Sequence, residues 1–264
     1  MSCFRSGLFS YLLAGLMLWL CVILTACSSQ LESNVLKVAM APDIGSPYVY
    51  SPKEEQYGGF EVEIAEYLAQ KLKRPLKIIP MPWKQLASSI QKKQADIAIS
   101  AIEKPGKGLE PKELIATEHY YTAYQQLAVP KKDKFTYNLS DLKGKKVAVV
   151  EHSVSQLLLE ELNKLKQAKI QILSYSNPQE VFNTLKTGKA QAALTERAFA
   201  GWFVWREKNL RLTGEPITQE TPYVGLMHKD QGQLKQEIDQ ILKQGFKDPA
   251  FKKIFDKWHV SIRR

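Results

Sequence analysis

The sequence predicts an α/β protein built from two similar βαβ modules. The segments KKQADIAIS (92–100) and TGKAQAALT (187–195) are similar, and each follows apolar residues at helical spacing. Each also closes a series of alternating strand-like and helix-like segments. Parallel strands connected by helices form doubly wound sheets, so we predict two α/β lobes, each with its own sheet.

The N-terminus has the pattern of a lipoprotein signal peptide. An apolar run of about 16 residues (8–23) follows Arg5 and ends in LTAC, whose last residue is Cys27. A membrane span needs about 20 residues, whereas a signal-peptide core is shorter. Small residues before a cysteine resemble a bacterial lipobox, which predicts a signal peptide over 1–26 and lipidation of Cys27. The alternative is an uncleaved N-terminal anchor helix.

The composition of the chain after residue 26 argues against cysteine-based sites, nucleic-acid binding and metal sites. Cys3 and Cys21 leave with the signal and Cys27 carries lipid, so no disulfide or thiolate site is expected. The net charge of +10 falls on scattered lysines beside acids, which favours a solvated face over nucleic-acid binding. The four histidines lack metal-ligand spacing, so we expect no metal and no cofactor.

After a short tether (27–34), the first module reads as β-α-β-α-β. VLKVAM (35–40) alternates like a strand, and GGFEVEIAEYLAQKL (58–72) has one apolar helical face. LKIIPM (76–81) is the next strand, a helix begins at Trp83, and ADIAIS (95–100) is the last strand.

The second module repeats this order. Its predicted strands lie in KKVAVV (145–150), IQILSY (170–175) and AQAALT (190–195). Its predicted helices are SQLLLEELNKLK (155–166) and the segment 178–186.

Two aromatic strand-like runs could carry the chain between the lobes. They are YYTAYQQLAVPKK (120–132) and PYVGLMHKD (222–230), and the tail 233–258 is helical without a sheet of its own. We therefore predict that the tail returns to the first lobe. The first lobe would contain 35–125 and 226–264, and the second lobe would contain 126–225.

This architecture predicts where a ligand binds. In open parallel sheets, ligands lie beyond the carboxyl ends of the strands. Ser100 and Thr195 end the two repeated strands and would mark the walls of a cleft between the lobes. The alternative is that both are ordinary strand-capping hydroxyls.

The chain resembles the bacterial extracellular solute-binding proteins, family 3. The resemblance rests on GGFEVEIAEYLAQKL, Trp83, ADIAIS, ATEHYYTAYQQLAV, LSDLKGKKVAVVEHS, GKAQAALTE and FKKIFDKWH, in this order after a lipobox. It implies a periplasmic-binding-protein-like type II fold, with two doubly wound lobes joined by a two-strand hinge.

The same resemblance implies the function. The protein would be the substrate-binding component of an ABC importer, which captures a small polar solute, an amino acid or related amine, by hinge closure. Its partners would be the solute and a membrane permease. The resemblance implies a monomer without enzymatic activity, lipid-anchored in a bacterial envelope and facing the periplasm or the exterior.

Site residues follow from the resemblance position by position. Trp83 would stack on the solute, Ser100 would form a hydrogen bond to it through its hydroxyl, and Glu196 would bind its ammonium group. Each residue also has a purely structural alternative. Trp83 could be a core tryptophan, Glu196 an exposed glutamate at a helix start, and Ser153 a simple N-cap. The complete implied set is Tyr48, Trp83, Ser100, Ala101, Glu103, Lys104, Lys107, Ser153, Ser155 and Glu196.

The chain departs from the family where an arginine usually grips the solute's α-carboxylate. Gly108 occupies that position, Lys104 and Lys107 lie nearby, and Glu103 replaces a usual hydroxyl. Two like charges about 4 Å apart at an effective dielectric near 20 repel by roughly 4 kcal/mol. Either a lysine neutralises Glu103, or the loop turns it away, or the solute is cationic and lacks an α-carboxylate.

Two other functions remain open from the residues. Dehydratases of the cyclohexadienyl type resemble these binding proteins and use a carboxylate in the cleft, a role open to Glu103 or Glu196. A sensor or accessory lipoprotein that binds a solute and signals to a partner is the third possibility.

Overall fold

A computed structural model describes residues 34–105, 112–217 and 220–260. In these ranges no helix is both long and apolar enough to cross a membrane. The predicted α/β class is confirmed, since the chain forms two five-stranded sheets flanked by helices.

The strands alternate with the helices along the chain, as the two modules predict. The strands are β1 (Leu36–Met40), β2 (Tyr50–Lys53), β3 (Gln56–Gly58), β4 (Leu76–Pro80), β5 (Ile97–Ala98), β6 (Leu114–Ala123), β7 (Gln125–Pro130), β8 (Lys146–Val150), β9 (Gln171–Tyr175), β10 (Ala192–Glu196), β11 (Leu210–Thr213) and β12 (Thr221–His228). The helices are α1 (Phe60–Leu72), α2 (Leu86–Gln91), α3 (Val154–Lys166), α4 (Pro178–Lys186), α5 (Arg197–Arg206), α6 (Gly232–Gly245) and α7 (Pro249–Lys257).

The two sheets have matching topology. The first has the order β4-β1-β5-β12-β6, and the second, taken from the equivalent edge, has the order β9-β8-β10-β7-β11. In each, the first three strands pair in parallel, and the fourth strand pairs antiparallel with both the third and the fifth. The repeated segments of the sequence therefore form β5 and β10, the central strands of their sheets.

Two features of the first module differ from the predicted elements. β5 contains only two residues rather than six, so Ser100 lies beyond the end of the strand. The helix expected at Trp83 begins as a single 3-10 turn and becomes α-helical at Leu86. Both differences put Trp83 and Ser100 on connecting segments at the same sheet edge.

The chain passes between the sheets at two adjacent points. β6 ends at Ala123 and β7 begins at Gln125, whose carbonyl accepts a bond of 3.0 Å from the Ile217 N–H before β12. β12 pairs with β6 from Thr221 onward, so the predicted return at residue 226 falls inside this strand. Hydrophobic periodicity alone does not indicate where that pairing starts. The remaining lobe boundaries stay a prediction.

The C-terminal tail packs on the first sheet as two helices, separated before Pro249. Ile238 and Phe251 are buried in the same core as Phe60 and Leu68 of α1. Helix α5 of the second sheet also reaches this core, because the ring of Phe199 lies 4.9 Å from that of Tyr48. The junction between the sheets is therefore partly aromatic.

Because Gly59 has no side chain, the backbone at Tyr48 can pack closely against the start of α1. We expect Gly59→Ala to lower the free energy of unfolding by more than about 2 kcal/mol, because a Cβ there would lie 1.8 Å from the Tyr48 carbonyl oxygen. Gly45→Ala is the control, since it also has a positive φ but meets no atom within 4 Å. It should cost about 1 kcal/mol. Equal losses in urea unfolding would contradict this.

Candidate ligand-binding site

Trp83 and Ser100 meet at the edge of the first sheet. The Trp83 Nε1–H donates to the Ser100 carbonyl oxygen at 2.8 Å, and the Ser100 Oγ accepts from the Ala41 N–H at 2.8 Å. Ser100 is fully buried, whereas Trp83 is 49% exposed. The indole is thus fixed at its nitrogen while part of its surface remains open for stacking.

The segment after Ser100 runs along β12. Ala101 has a φ of +46°, Glu103 forms a bridge with Tyr223, and the Lys104 N–H donates to the Pro222 carbonyl at 2.8 Å. The side chains of Glu103 and Lys104 are exposed. Lys107, Gly108 and the predicted lipidation site Cys27 lie outside the described residues.

Both serines of the second lobe already have protein partners. The Ser153 Oγ accepts from the Gln156 N–H at 3.3 Å, which is the N-cap geometry of α3. The buried Ser155 hydroxyl donates to the Gln125 Oε1 at the crossing between the lobes. Ser155 therefore connects the start of α3 to the first residue of β7.

Glu196 is buried at the junction between the two sheets. Its Oε2 accepts from the Tyr48 hydroxyl and from the Ala198 N–H at 2.8 Å, which caps α5. Its Oε1 accepts from the Tyr121 hydroxyl at 2.8 Å. Burial raises the pKa of Glu196, and the bonds from the two tyrosines lower it in part. The carboxylate thus connects the second lobe to two tyrosines of the first.

A second buried carboxyl, Glu61, was missed by the sequence analysis. Its Oε1 accepts from the Ala101 N–H at 2.7 Å and from the Tyr120 hydroxyl at 2.5 Å, while its Oε2 is buried without a hydrogen-bond partner among the described residues. Burial raises its pKa to about 7. The available signal was spacing, since Glu61 lies three and four residues before Ile64 and Ala65 on the apolar face.

Tyr223 lies close to the two tyrosines that donate to Glu196. Its ring is 6.1 Å from that of Tyr48 and 5.7 Å from that of Tyr121. Burial raises its pKa well above the usual value, and the negative charges of Glu196, Glu103 and Glu61 add to this effect. The phenol of Tyr223 therefore stays neutral.

A cavity of about 730 Å³ lies on another side of the junction. It is bounded by α5 residues, including Gly201 and Trp205, and by the C-terminal residues Phe251, Phe255 and His259. None of the predicted ligand-binding residues that the structure describes lines it. Arg197, which follows Glu196 in the chain, is one of its lining residues.

The fold and the site define a two-lobed solute-binding protein. The sequence profile of the bacterial extracellular solute-binding proteins, family 3, matches residues 36–261. The chain belongs to this family.

Individual relatives agree with this assignment. The chain is 30% identical to the ABC transporter glutamine-binding protein GlnH of Bacillus subtilis (strain 168), over 79% of this chain and 75% of the relative. It is 27% identical to the arginine-binding extracellular protein ArtP of the same organism, over 90% and 93%. The solved structure of an ancestral cationic amino acid solute-binding protein matches with a TM-score of 0.76 and 25% identity, over 88% of this chain and 98% of that one.

The two tyrosine hydroxyls should stabilise the fold through Glu196. We expect Tyr48→Phe and Tyr121→Phe each to lower the free energy of unfolding by about 1–3 kcal/mol, because each leaves a buried carboxylate with one donor fewer. Tyr137→Phe is the control, since Tyr137 is 52% exposed. It should change stability by less than about 0.5 kcal/mol. Urea unfolding measures all three, and unchanged values for both buried variants would contradict the role.

Proposed function

We propose that the protein is the substrate-binding component of an ABC importer and captures an amino acid or related amine by hinge closure. The main support is the matched pair of sheets with the central strands β5 and β10. Ser100 follows β5, and Glu196 ends β10. The contact of Tyr48 with Glu196 joins the two edges. The crossings at Gln125 and before Thr221 would serve as the hinge.

We propose that the two sheets are the cores of two lobes. The first would comprise 35–125 and the C-terminal part up to 264, and the second would comprise the segment from 126 to the start of β12. The hydrogen bond between Gln125 and Ile217 supports this division, because it couples the two connections at one place. Hinges of this kind absorb the rotation in a few residues at the ends of elements.

The preferred solute would be a cationic amino acid or a related amine. Glu61 and Glu196 are buried carboxyls, and a buried carboxylate favours a cation. ArtP is named for arginine, and the ancestral structure is named for cationic amino acids. GlnH is named for glutamine, so a neutral amino acid is the comparison to test.

Each predicted site residue that the structure describes has a role in this proposal. The exposed face of Trp83 would stack on the solute, and the segment Ser100–Lys104 would border it, with Lys104 near its carboxylate. Ser153 and Ser155 would position the second wall at the start of α3. Glu196 would attract the ammonium, and Tyr48 would hold Glu196 in place.

The proposal is tested by calorimetric titration with L-arginine, L-glutamine, L-glutamate and putrescine. We expect Glu196→Gln to weaken the tightest-binding amine at least about tenfold, because a hydrogen bond to a charged group is worth roughly 1.5–3 kcal/mol. Glu207→Gln is the matched control, since Glu207 pairs with Lys186 at the surface. It should change the affinity less than about twofold.

A loss smaller than about threefold for Glu196→Gln would overturn its role. The bound solute should also be recovered unchanged by mass spectrometry. A converted product would instead favour the dehydratase-type enzyme.

We propose that the mature chain begins at Cys27 and is held on a bacterial membrane by acyl chains. The lipobox LTAC supports this anchor, and each buried methylene contributes about 0.8 kcal/mol to membrane binding. We expect Cys27→Ser, expressed in a bacterial host, to move the protein from the membrane fraction to the soluble fraction or to leave it unprocessed. Cys21→Ser is the control and should remain on the membrane. Identical fractionation together with identical processing of the two variants would contradict the anchor.

A further inference from the structure

We infer that Glu61 is a positioning residue for the binding segment Ser100–Lys104. Its carboxyl holds the segment by accepting a hydrogen bond from the Ala101 N–H, and protonation of the carboxyl weakens this bond. This inference rests on the proposed function, because it assumes that the segment borders the solute. The contact itself is independent of that assumption, since α1 and the segment are 40 residues apart in the chain.

The backbone conformation of Ala101 requires stabilising hydrogen bonds. Its φ of +46° lies in the left-handed region, which costs an alanine about 1 kcal/mol. Three hydrogen bonds fix this turn: from Ala41 to the Ser100 Oγ, from Trp83 to the Ser100 carbonyl, and from Ala101 to Glu61. Of these three hydrogen-bond acceptors, the Glu61 carboxyl is the one that can gain or lose a proton.

The geometry also fixes where the proton goes. Both donors, the Ala101 N–H and the Tyr120 hydroxyl, point to Oε1 of Glu61. The proton therefore binds Oε2, which is buried and has no partner among the described residues. The charged carboxylate accepts the Ala101 N–H more strongly than the protonated acid does, because charge-assisted bonds are roughly twice as strong.

Few other groups near Glu61 can titrate in the same range. The hydroxyl of Tyr120 comes from β6, the phenol of Tyr223 from β12, and the carboxyl of Glu196 from the second lobe. Burial keeps both tyrosines neutral because it raises their pKa values well above 10. On α1 itself, Glu63 binds Lys257 and Trp258 instead. Glu196 is thus the other group whose charge acts on Glu61.

The direction of the effect follows from the proton balance. Burial raises the pKa of Glu61 to about 7, so the carboxylate is charged above that pH and the segment is then held more firmly. A cationic solute also gains from the added negative charge. Both effects predict tighter binding of L-arginine at higher pH.

The first test is calorimetric titration of the mature chain with L-arginine at about pH 6 and about pH 8. We expect binding about fivefold tighter at the higher pH, as a charge-assisted bond replaces a neutral one. In Glu61→Gln the amide oxygen can still accept a hydrogen bond from the Ala101 N–H. The ratio of the L-arginine affinity at about pH 8 to that at about pH 6 should then fall below about 1.5. Glu63→Gln removes the same charge two residues away and should keep the wild-type ratio.

The second test needs no solute. In protein labelled with 5-fluorotryptophan, the ¹⁹F resonance of Trp83, assigned with Trp83→Phe, should titrate with a midpoint near the pKa of Glu61, because its indole N–H binds the positioned segment. The titration should disappear in Glu61→Gln and persist in Glu63→Gln. A Trp83 resonance that does not titrate in the wild type, or titrates equally in Glu61→Gln, overturns the inference.

The two readouts separate the possible failures. If no amino acid or amine binds, the proposed function fails, while the Trp83 titration still decides whether Glu61 controls the segment. If L-arginine binds with the same pH ratio in the wild type and in Glu61→Gln, the inference fails and the proposed function stands.

Discussion

The junction of the two lobes depends on buried carboxylates that must keep their hydrogen-bond donors. An ionised carboxylate inside a protein is costly unless hydrogen bonds and nearby dipoles replace its hydration. Glu196 obtains its donors from two tyrosines of the first sheet and from the first turn of α5. The same contacts cap a helix of one lobe and attach it to the other, so stability and interlobe geometry have a common origin.

The adjacent residues Tyr120 and Tyr121 extend this arrangement. Tyr120 donates to Glu61 at the start of α1, and Tyr121 donates to Glu196 at the start of α5. Each carboxylate lies where helix N–H groups favour a negative charge. One strand, β6, thereby organises an acidic group in each lobe, and it leads directly into the crossing at Gln125.

Much of this architecture was predictable from the sequence, because the repeated segments mark β5 and β10 and hydrophobic periodicity locates the helices. The short length of β5 was not predictable, since apolar content does not reveal where strand pairing stops. The protein partners of Ser155 and Glu196 were also missed, because they come from residues distant in the chain. Glu61 was detectable in principle as a charged residue on the apolar face of α1.

Glu103 would be less damaging to the binding of a solute carboxylate than like-charge repulsion by itself suggests. The estimate of about 4 kcal/mol assumed that Glu103 faces a solute carboxylate in a partly screened setting. In the structure the backbone of Glu103 pairs with Tyr223 while its side chain is exposed, so water and salt weaken its field. The buried charges of Glu61 and Glu196 are screened much less. In the proposed site these two carboxyls, when ionised, would therefore favour the positive end of a solute.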